Sequence, residues 1–309
     1  MSQVQGRKIA IIGASGNLGA PMLATLLANG AHTITAVKRP ESTSSFSSEV
    51  IVKAGNLEDE AFLTEVFKGQ DAVILAPPLS HVISIQDPAV RAAAKAGVPY
   101  VIPAEYGPSP FATELIQENG LLQAKQQIRD LIDELGVSSW ISITVGAWLD
   151  VNLSNGLWRI DAKARKASMY RGADGRVSTS SVAHAGQAVA AVLSLPEADL
   201  ARYKKQAVYT PSFHITHREM LDAVQRATKT TGADWDITYR DANEALKEYN
   251  EAIGQGDVFS SYHKFILTHL VEGKGADFED KVDLEVLKKL EALGLQKENL
   301  EEVVERILQ

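Results

Sequence analysis

The chain has 309 residues, no cysteine, and 31 Lys+Arg against 39 Asp+Glu, a formal charge of −8. The lack of cysteine excludes a disulfide scaffold, a thiol nucleophile and any thiolate metal site, and the acidic balance disfavours non-specific nucleic-acid binding. No run reaches the ~18 apolar residues of a membrane span and the N-terminal MSQVQGRKIAIIGASG lacks a signal-peptide pattern, so a soluble, cytoplasmic protein with no membrane partner is expected. In chain order, Lys8–Ile12 reads as a short β-branched strand ending at Gly13. Thr33–Val37, Val50–Ala54, Asp71–Ala76, Pro99–Pro103 and Ser138–Thr144 read as further strands. Their continuous apolar runs, in place of strict alternation, predict strands covered on both faces, as in a parallel sheet. Helices are predicted between them, over Leu18–Ala28, Asp59–Phe67 and Pro88–Ala96. Strand–helix–strand repetition points to right-handed crossovers and an α/β, doubly wound parallel sheet. After Trp148 helical stretches dominate, from His184–Leu195 to Glu298–Leu308, with one late strand over Gln206–Thr210. Ser42–Ser48 reads as a loop.

Gly13-Ala14-Ser15-Gly16-Asn17-Leu18-Gly19 follows the first strand directly and opens the first helix. Glycines there allow a tight turn and let backbone N–H groups approach a pyrophosphate at the positive helix end. With a second strand following the helix, the pattern predicts dinucleotide binding by a Rossmann-type domain. That strand runs out into Lys38-Arg39-Pro40, with no carboxylate to accept from a ribose 2′-OH. Two cations favour a 2′-phosphate, since guanidinium matches phosphate oxygens bidentately, so NADP(H) is the expected cofactor. Solvated strand-end charges are the bland alternative. The division expected is 1–147 as the NADP(H)-binding domain and 148–309 as a smaller, mostly helical C-terminal substrate lobe, part of which may return to the sheet.

The glycine turn, the basic pair, Pro103-Ala104-Glu105-Tyr106-Gly107 and a lysine eighteen residues beyond that glycine together resemble the NmrA-like/isoflavone reductase-like family of atypical short-chain dehydrogenases. The tail Gly273–Gln309 is similar to that of fungal members. The resemblance implies that Lys125, in Lys125-Gln126-Gln127-Ile128-Arg129, corresponds to the family's catalytic lysine and is also a cofactor contact, with cofactor binding alone as the alternative role. It further implies that Ala76 and Pro77 line the cofactor's path and that Pro103, Glu105 and Tyr106 sit beside the nicotinamide. Asn56 and Leu57 would meet adenine, with Asn where related turns carry Asp. Thr144, Gly146 and Trp148, with Tyr106, would face substrate from the C-terminal edge of the sheet; Trp148 serves equally as an aromatic floor or as lobe-packing core. From the residues alone, Leu121, one turn before Lys125, has no proton to give, so Lys125 would act directly or through water. A free lysine near pKa ~10.4 is a poor base at neutral pH and needs burial or a nearby cation to approach ~7–8; as an acid it needs no such shift.

His214 and His217 have one-turn spacing but no nearby carboxylate set, so no metal is expected. The basic stretch Asp161–Lys166 reads as a solvated helix end. The resemblance implies an NADPH-dependent reductase of aromatic, phenylpropanoid-like or polyketide-like small molecules. An NADP(H)-bound redox sensor with a regulatory protein partner, and a non-redox isomerase or cyclase using the cofactor as scaffold, are the alternatives.

Overall fold

The computed structural model describes residues 4–309. Its first half runs β1 (Lys8–Ile12), α1 (Gly19–Asn29), β2 (Thr33–Lys38), β3 (Val50–Ala54), α2 (Glu60–Phe67), β4 (Ala72–Leu75), α3 (Gln86–Lys95), β5 (Tyr100–Ile102), α4 (Thr113–Glu118), α5 (Gly120–Leu135) and β6 (Ser139–Thr144). There follow β7 (Ala147–Trp148), α6 (Leu149–Ser154), β8 (Ile160–Asp161), β9 (Lys166–Arg171), β10 (Val177–Ser180), α7 (Val182–Leu193), α8 (Glu197–Leu200), β11 (Gln206–Tyr209) and β12 (Phe213–Ile215). The chain closes with α9 (His217–Ala227), β13 (Asp236–Asp241), α10 (Ala242–Gly254), α11 (Val258–Leu270), α12 (Leu284–Ala292) and α13 (Leu300–Leu308).

Seven parallel strands form the main sheet in the order β11-β6-β5-β4-β1-β2-β3. β1 leads outward to β2 and β3, and the chain then crosses to β4, so the order reverses between β1 and β4. In such sheets the crevice beyond the strand C-termini at that reversal is where ligands bind. The apolar runs are used as expected, with all of β4 and all but the first residue of β1 buried. α1, α7 and α12 cover one face and α2, α3 and α5 the other. α1 and α7 come close because residue 186 is glycine: a Cβ there would lie 2.7 Å from the Met22 backbone nitrogen. The buried Arg7 guanidinium donates to the Leu193 and Leu195 carbonyls, satisfying the C-terminal end of α7 where a cation is favoured.

The chain beyond residue 148 contributes to this layer directly. β11 pairs on β6, and α7 lies against α1. The rest surrounds a second core with two small sheets, β12-β10-β7 and β13-β9-β8, beside α6, α9, α10, α11 and α13. The basic stretch at 161–166 is therefore not a helix end. It is the turn of the β8–β9 hairpin, where Asp161 Oδ1 accepts from Ala164 N at 2.8 Å and Arg165 adopts φ 53°.

Five histidines, His32, His184, His217, His263 and His269, are held neutral mainly by burial, His32 and His269 with pKa pushed down to about 4. An unfolded histidine titrates near 6.5, so below that pH the unfolded chain binds more protons and stability is lost as pH falls from 6.5 towards 4. His269 alone contributes roughly 3 kcal/mol of that loss. Denaturant midpoints measured across this range are expected to fall steadily with acidification; a flat or rising profile would contradict the burial of neutral imidazoles.

Candidate active site

The glycine turn has two kinds of glycine. Gly13 has φ 88°, and a Cβ there would lie 2.0 Å from the Ala76 carbonyl oxygen; at Gly19 it would lie 2.0 Å from that of Gly13. Both are demanded by the chain's own packing. Gly16 is exposed, and a Cβ there would meet nothing nearer than the Gly13 oxygen at 3.4 Å. Among the described residues no other atom beyond its chain neighbours lies within 4 Å of that Cβ position, which leaves room for a ligand to approach the backbone. α1 has no side-chain cap and no acidic residue in its first turn, so its positive end is available to an anion. Ser15 and Asn17 are exposed around it, whereas the Leu18 side chain belongs to the core, leaving its backbone for any cofactor contact.

The serine loop folds over this turn. Lys38 Nζ donates to the Ser42 and Ser44 carbonyls at 3.1 and 2.8 Å, and the Ser44 hydroxyl donates to Ser15 Oγ at 2.9 Å. Arg39 is exposed, held among the described residues by a 3.3 Å pair with Glu41 that solvent screening makes weak. The guanidinium is thus the freer of the two predicted cations. Asn56 is exposed and its Oδ1 accepts from Glu58 N at 3.0 Å, while Leu57 is core on the α2 face rather than a cofactor contact through its side chain. Ala76 and Pro77 are half-buried where β4 ends against Gly13.

Lys125 lies on α5. The helix is set apart from α4 by buried Asn119, whose amide donates to the Leu115 carbonyl at 2.8 Å and to Thr268 Oγ1 at 3.1 Å. One turn beyond Lys125, Arg129 pairs with Glu105 of the loop after β5, with side chains only 7% and 3% exposed. The same guanidinium donates to the Pro110 carbonyl at 3.1 Å and stands 5.8 Å from the Trp140 ring centre. Lys125 is half-buried, its Nζ 3.7 Å from where a Gly107 Cβ would be. Loss of hydration pushes its pKa below the ordinary lysine value; the Glu105 charge pulls it back up, and Arg129 pushes it down again.

Several side chains expected at a ligand have partners within the protein. Glu105 is committed to Arg129. The Tyr106 hydroxyl donates to the Leu75 and Ile102 carbonyls at 3.2 Å beneath the strand ends, and burial raises its pKa well above the usual value. Thr144 is fully buried with its hydroxyl against that of Ser142, on the strand to which β11 returns to pair. Gly146, at φ 82°, is required by close packing, since a Cβ would lie 1.9 Å from the Ser178 carbonyl oxygen. The Trp148 indole packs on the main core and donates to the Tyr106 carbonyl at 2.6 Å, which favours the lobe-packing role. Pro103 is buried in the same loop. Sequence reasoning passed over Gln86, fully buried, whose Oε1 accepts from Ala104 N at 2.8 Å and fixes that loop from below. No local spacing in the sequence marks either the Glu105–Arg129 pair or Gln86.

His217 points into the second core, its Nε2 donating to the Trp158 carbonyl. Among the described residues, His214, Asp277 and Glu279 could bring ligand atoms together, but His214 Nδ1 is already bonded to Asp277 at 2.8 Å.

The model of the NmrA-like family matches residues 5–295. The chain is 28% identical over 312 residues to the oxidoreductase aprR of Aspergillus flavus, covering 97% of this chain and 98% of that protein. It is 32% identical over 136 residues to the probable pinoresinol-lariciresinol reductase 3 of Arabidopsis thaliana, covering 42% and 44% of the two chains. Among solved structures, AtPrR2 with NADP+ and (+)pinoresinol has a TM-score of 0.77 at 19% identity, covering 98% of this chain and 99% of that one.

Removing one partner of a buried ion pair strands the other charge, at a cost of about 3–5 kcal/mol. Glu105→Ala and Arg129→Ala are each expected to lose stability on that scale by chemical denaturation. The double variant Glu105→Gln/Arg129→Met should lose much less than the sum of the two; additive losses would show that the two groups are not coupled.

Proposed function

The chain belongs to the NmrA-like family, and from that premise we propose that it is an NADPH-dependent reductase of aromatic or polyketide-like small molecules, with Lys125 as its proton-handling group. The observation that carries the reading is the placement of Lys125, where burial pushes the ammonium towards neutrality beside Glu105 and Arg129. The relative named an oxidoreductase over nearly its whole length, and the similar fold solved with NADP+ and pinoresinol, support the reaction class.

The residues present fit the cofactor. Gly16 and the uncapped start of α1 would hold the pyrophosphate, and Arg39, with Lys38 if it releases the serine loop, would hold the 2′-phosphate. NADPH supplies the hydride when bound. Lys125 would then give a proton to the oxygen or carbon that becomes basic as hydride arrives, directly or through a water. Residues 148–309 would furnish most of the substrate side, with β11 and α7 remaining parts of the sheet layer. Alignment of the two reactants would account for most of the acceleration, since the proton transfer needs only one group.

Calorimetric titration of the wild type, Arg39→Glu and Lys125→Ala with NADPH and NADH tests the assignment. One charge-assisted contact to phosphate corresponds to a preference for NADPH of about 10- to 100-fold, which Arg39→Glu should abolish while leaving NADH binding. Lys125→Ala should bind NADPH nearly as the wild type does and fail to oxidise it in a substrate screen. Failure to bind either dinucleotide, or equal affinities in the wild type, would defeat the assignment.

A further inference from the structure

The two edges of the main sheet differ. At β11, Ala207 and Val208 are buried, and the segment carrying Lys281 and Val286 lines the same cleft. At the other edge β3 pairs with β2 alone, and its four residues after Val50 are all exposed, Ile51 at 46% and Val52 at 44%. Neighbouring side chains on a strand point to opposite faces. Val50 belongs to the core on the α1 face, so Val52 lies on that side. A Gly55 Cβ would lie 2.5 Å from the Phe62 ring of α2, so Ile51 lies on the other side with Phe62. The Gly55 nitrogen donates to the Lys38 carbonyl of β2 at 3.0 Å. By the alternation of the ladder, residues 51, 53 and 55 turn their backbone groups to β2, and 50, 52 and 54 turn theirs outward. Val50 N is already taken, donating to the Ser47 carbonyl at 3.1 Å. An open edge of this kind is a template for another strand.

Charge selects the partner. Glu49, in the turn that leads into β3, and Lys53 are both exposed, and they flank Ile51 at equal spacing with opposite signs. We propose that β3 is the interface of a two-fold dimer, in which the β3 strands of two copies of this chain pair antiparallel with their Ile51 residues opposite each other. In that register each Lys53 faces Glu49 of the second copy. The outward Val52 N–H of each copy donates to the Val50 carbonyl of the other, and the Ser47 turn is left intact. Centring the pair on Val52 would instead set each Lys53 against Ile51, and centring it on Lys53 would bring the two lysines together. Like charges directly opposite are destabilising, and opposite charges stabilise. Lys53 alone would blunt the edge against pairing; Glu49 makes it half of a match. A two-fold interface is self-complementary, so a second copy supplies both charges at the required spacing. The ladder is a five-residue strand from each copy, flanked by Phe62 of α2. Such an interface is small, which suits association in the micromolar range.

The test is sedimentation equilibrium of the full chain, beside Glu49→Lys, Lys53→Glu and the exchanged Glu49→Lys/Lys53→Glu. We expect a wild-type dimer in the micromolar range, weakened about tenfold by either single change, as for two attractive pairs made repulsive. The exchange should restore it. Mixing the two single variants should restore it too, because each then carries the charges that the other lacks. Since the chain has no cysteine, Ile51→Cys introduces a sole thiol. Directly opposite residues of a non-hydrogen-bonded antiparallel pair stand about 4.5 Å apart between Cα atoms, within disulfide range; diagonal neighbours, at about 7–8 Å, are beyond it. Oxidised Ile51→Cys should therefore form a covalent dimer, and Val52→Cys should not. A chain that stays monomeric at submillimolar concentration overturns the proposal. So does a dimer indifferent to the charge changes, or one that crosslinks at position 52 and not at 51. The positions changed are all exposed, and a mixed sample recovers the dimer only from folded copies, so a loss of fold cannot imitate the expected result.

Discussion

A buried ion pair joins the two segments on which the candidate site is built. Glu105 comes from the loop after β5 and Arg129 from α5, and each has been stripped of nearly all its water. Such a pair repays its desolvation only when the remaining donors are satisfied. Here Arg129 also reaches the Pro110 carbonyl and lies over the Trp140 ring, so loop, helix and strand β6 are fixed to one another. Lys125, one turn earlier, has its head over that same loop at Gly107. The charges acting on it are the Glu105 carboxylate and the Arg129 cation, which oppose each other, so loss of hydration sets the direction of its shift and moves it towards the range in which a lysine exchanges protons near neutrality.

The fold brings this arrangement to the edge where a ligand can use it. The strand order reverses between β1 and β4, and the glycine turn at the end of β1 faces the crevice so formed. Gly13 and Gly19 serve the backbone, and Gly16 serves the space outside it. The second half of the chain closes the other side. β11 extends the sheet beyond β6, and α11 is tied to the α4–α5 break through Thr268 and Asn119. The lobe is therefore coupled to the helix that carries Lys125, and a group entering between them would touch both.

Much of this was legible in the sequence because the relevant signals are local. Lys8–Ile12 followed by three spaced glycines is a strand, a turn and a helix start within a dozen residues, and every main-sheet strand of the first half announced itself by a β-branched run. Motif position, however, does not say which way a side chain faces. Tyr106, Thr144 and Gly146 sit where a ligand would be expected, yet Tyr106 is turned under the strand ends, β11 pairs alongside the buried Thr144, and β10 closes on Gly146. All three outcomes depend on contacts between distant segments. The small sheets escaped for a similar reason. β13, Asp-Ile-Thr-Tyr-Arg-Asp, is largely exposed and shows little hydrophobic pattern until it pairs with β9. Gln86 matters through what it faces from another segment, which no spacing rule reports.

The central claim, that the protein lowers the pKa of Lys125, can be read on the side chain itself. Titration of the Lys125 Nζ by heteronuclear NMR, assigned by its absence in Lys125→Ala, should give a pKa below the ordinary lysine value. Replacement of Glu105 by Gln should lower it further, because the carboxylate is the one charge that opposes the shift. A Lys125 that titrates at or above the ordinary value, unmoved by the loss of Glu105, would contradict the account.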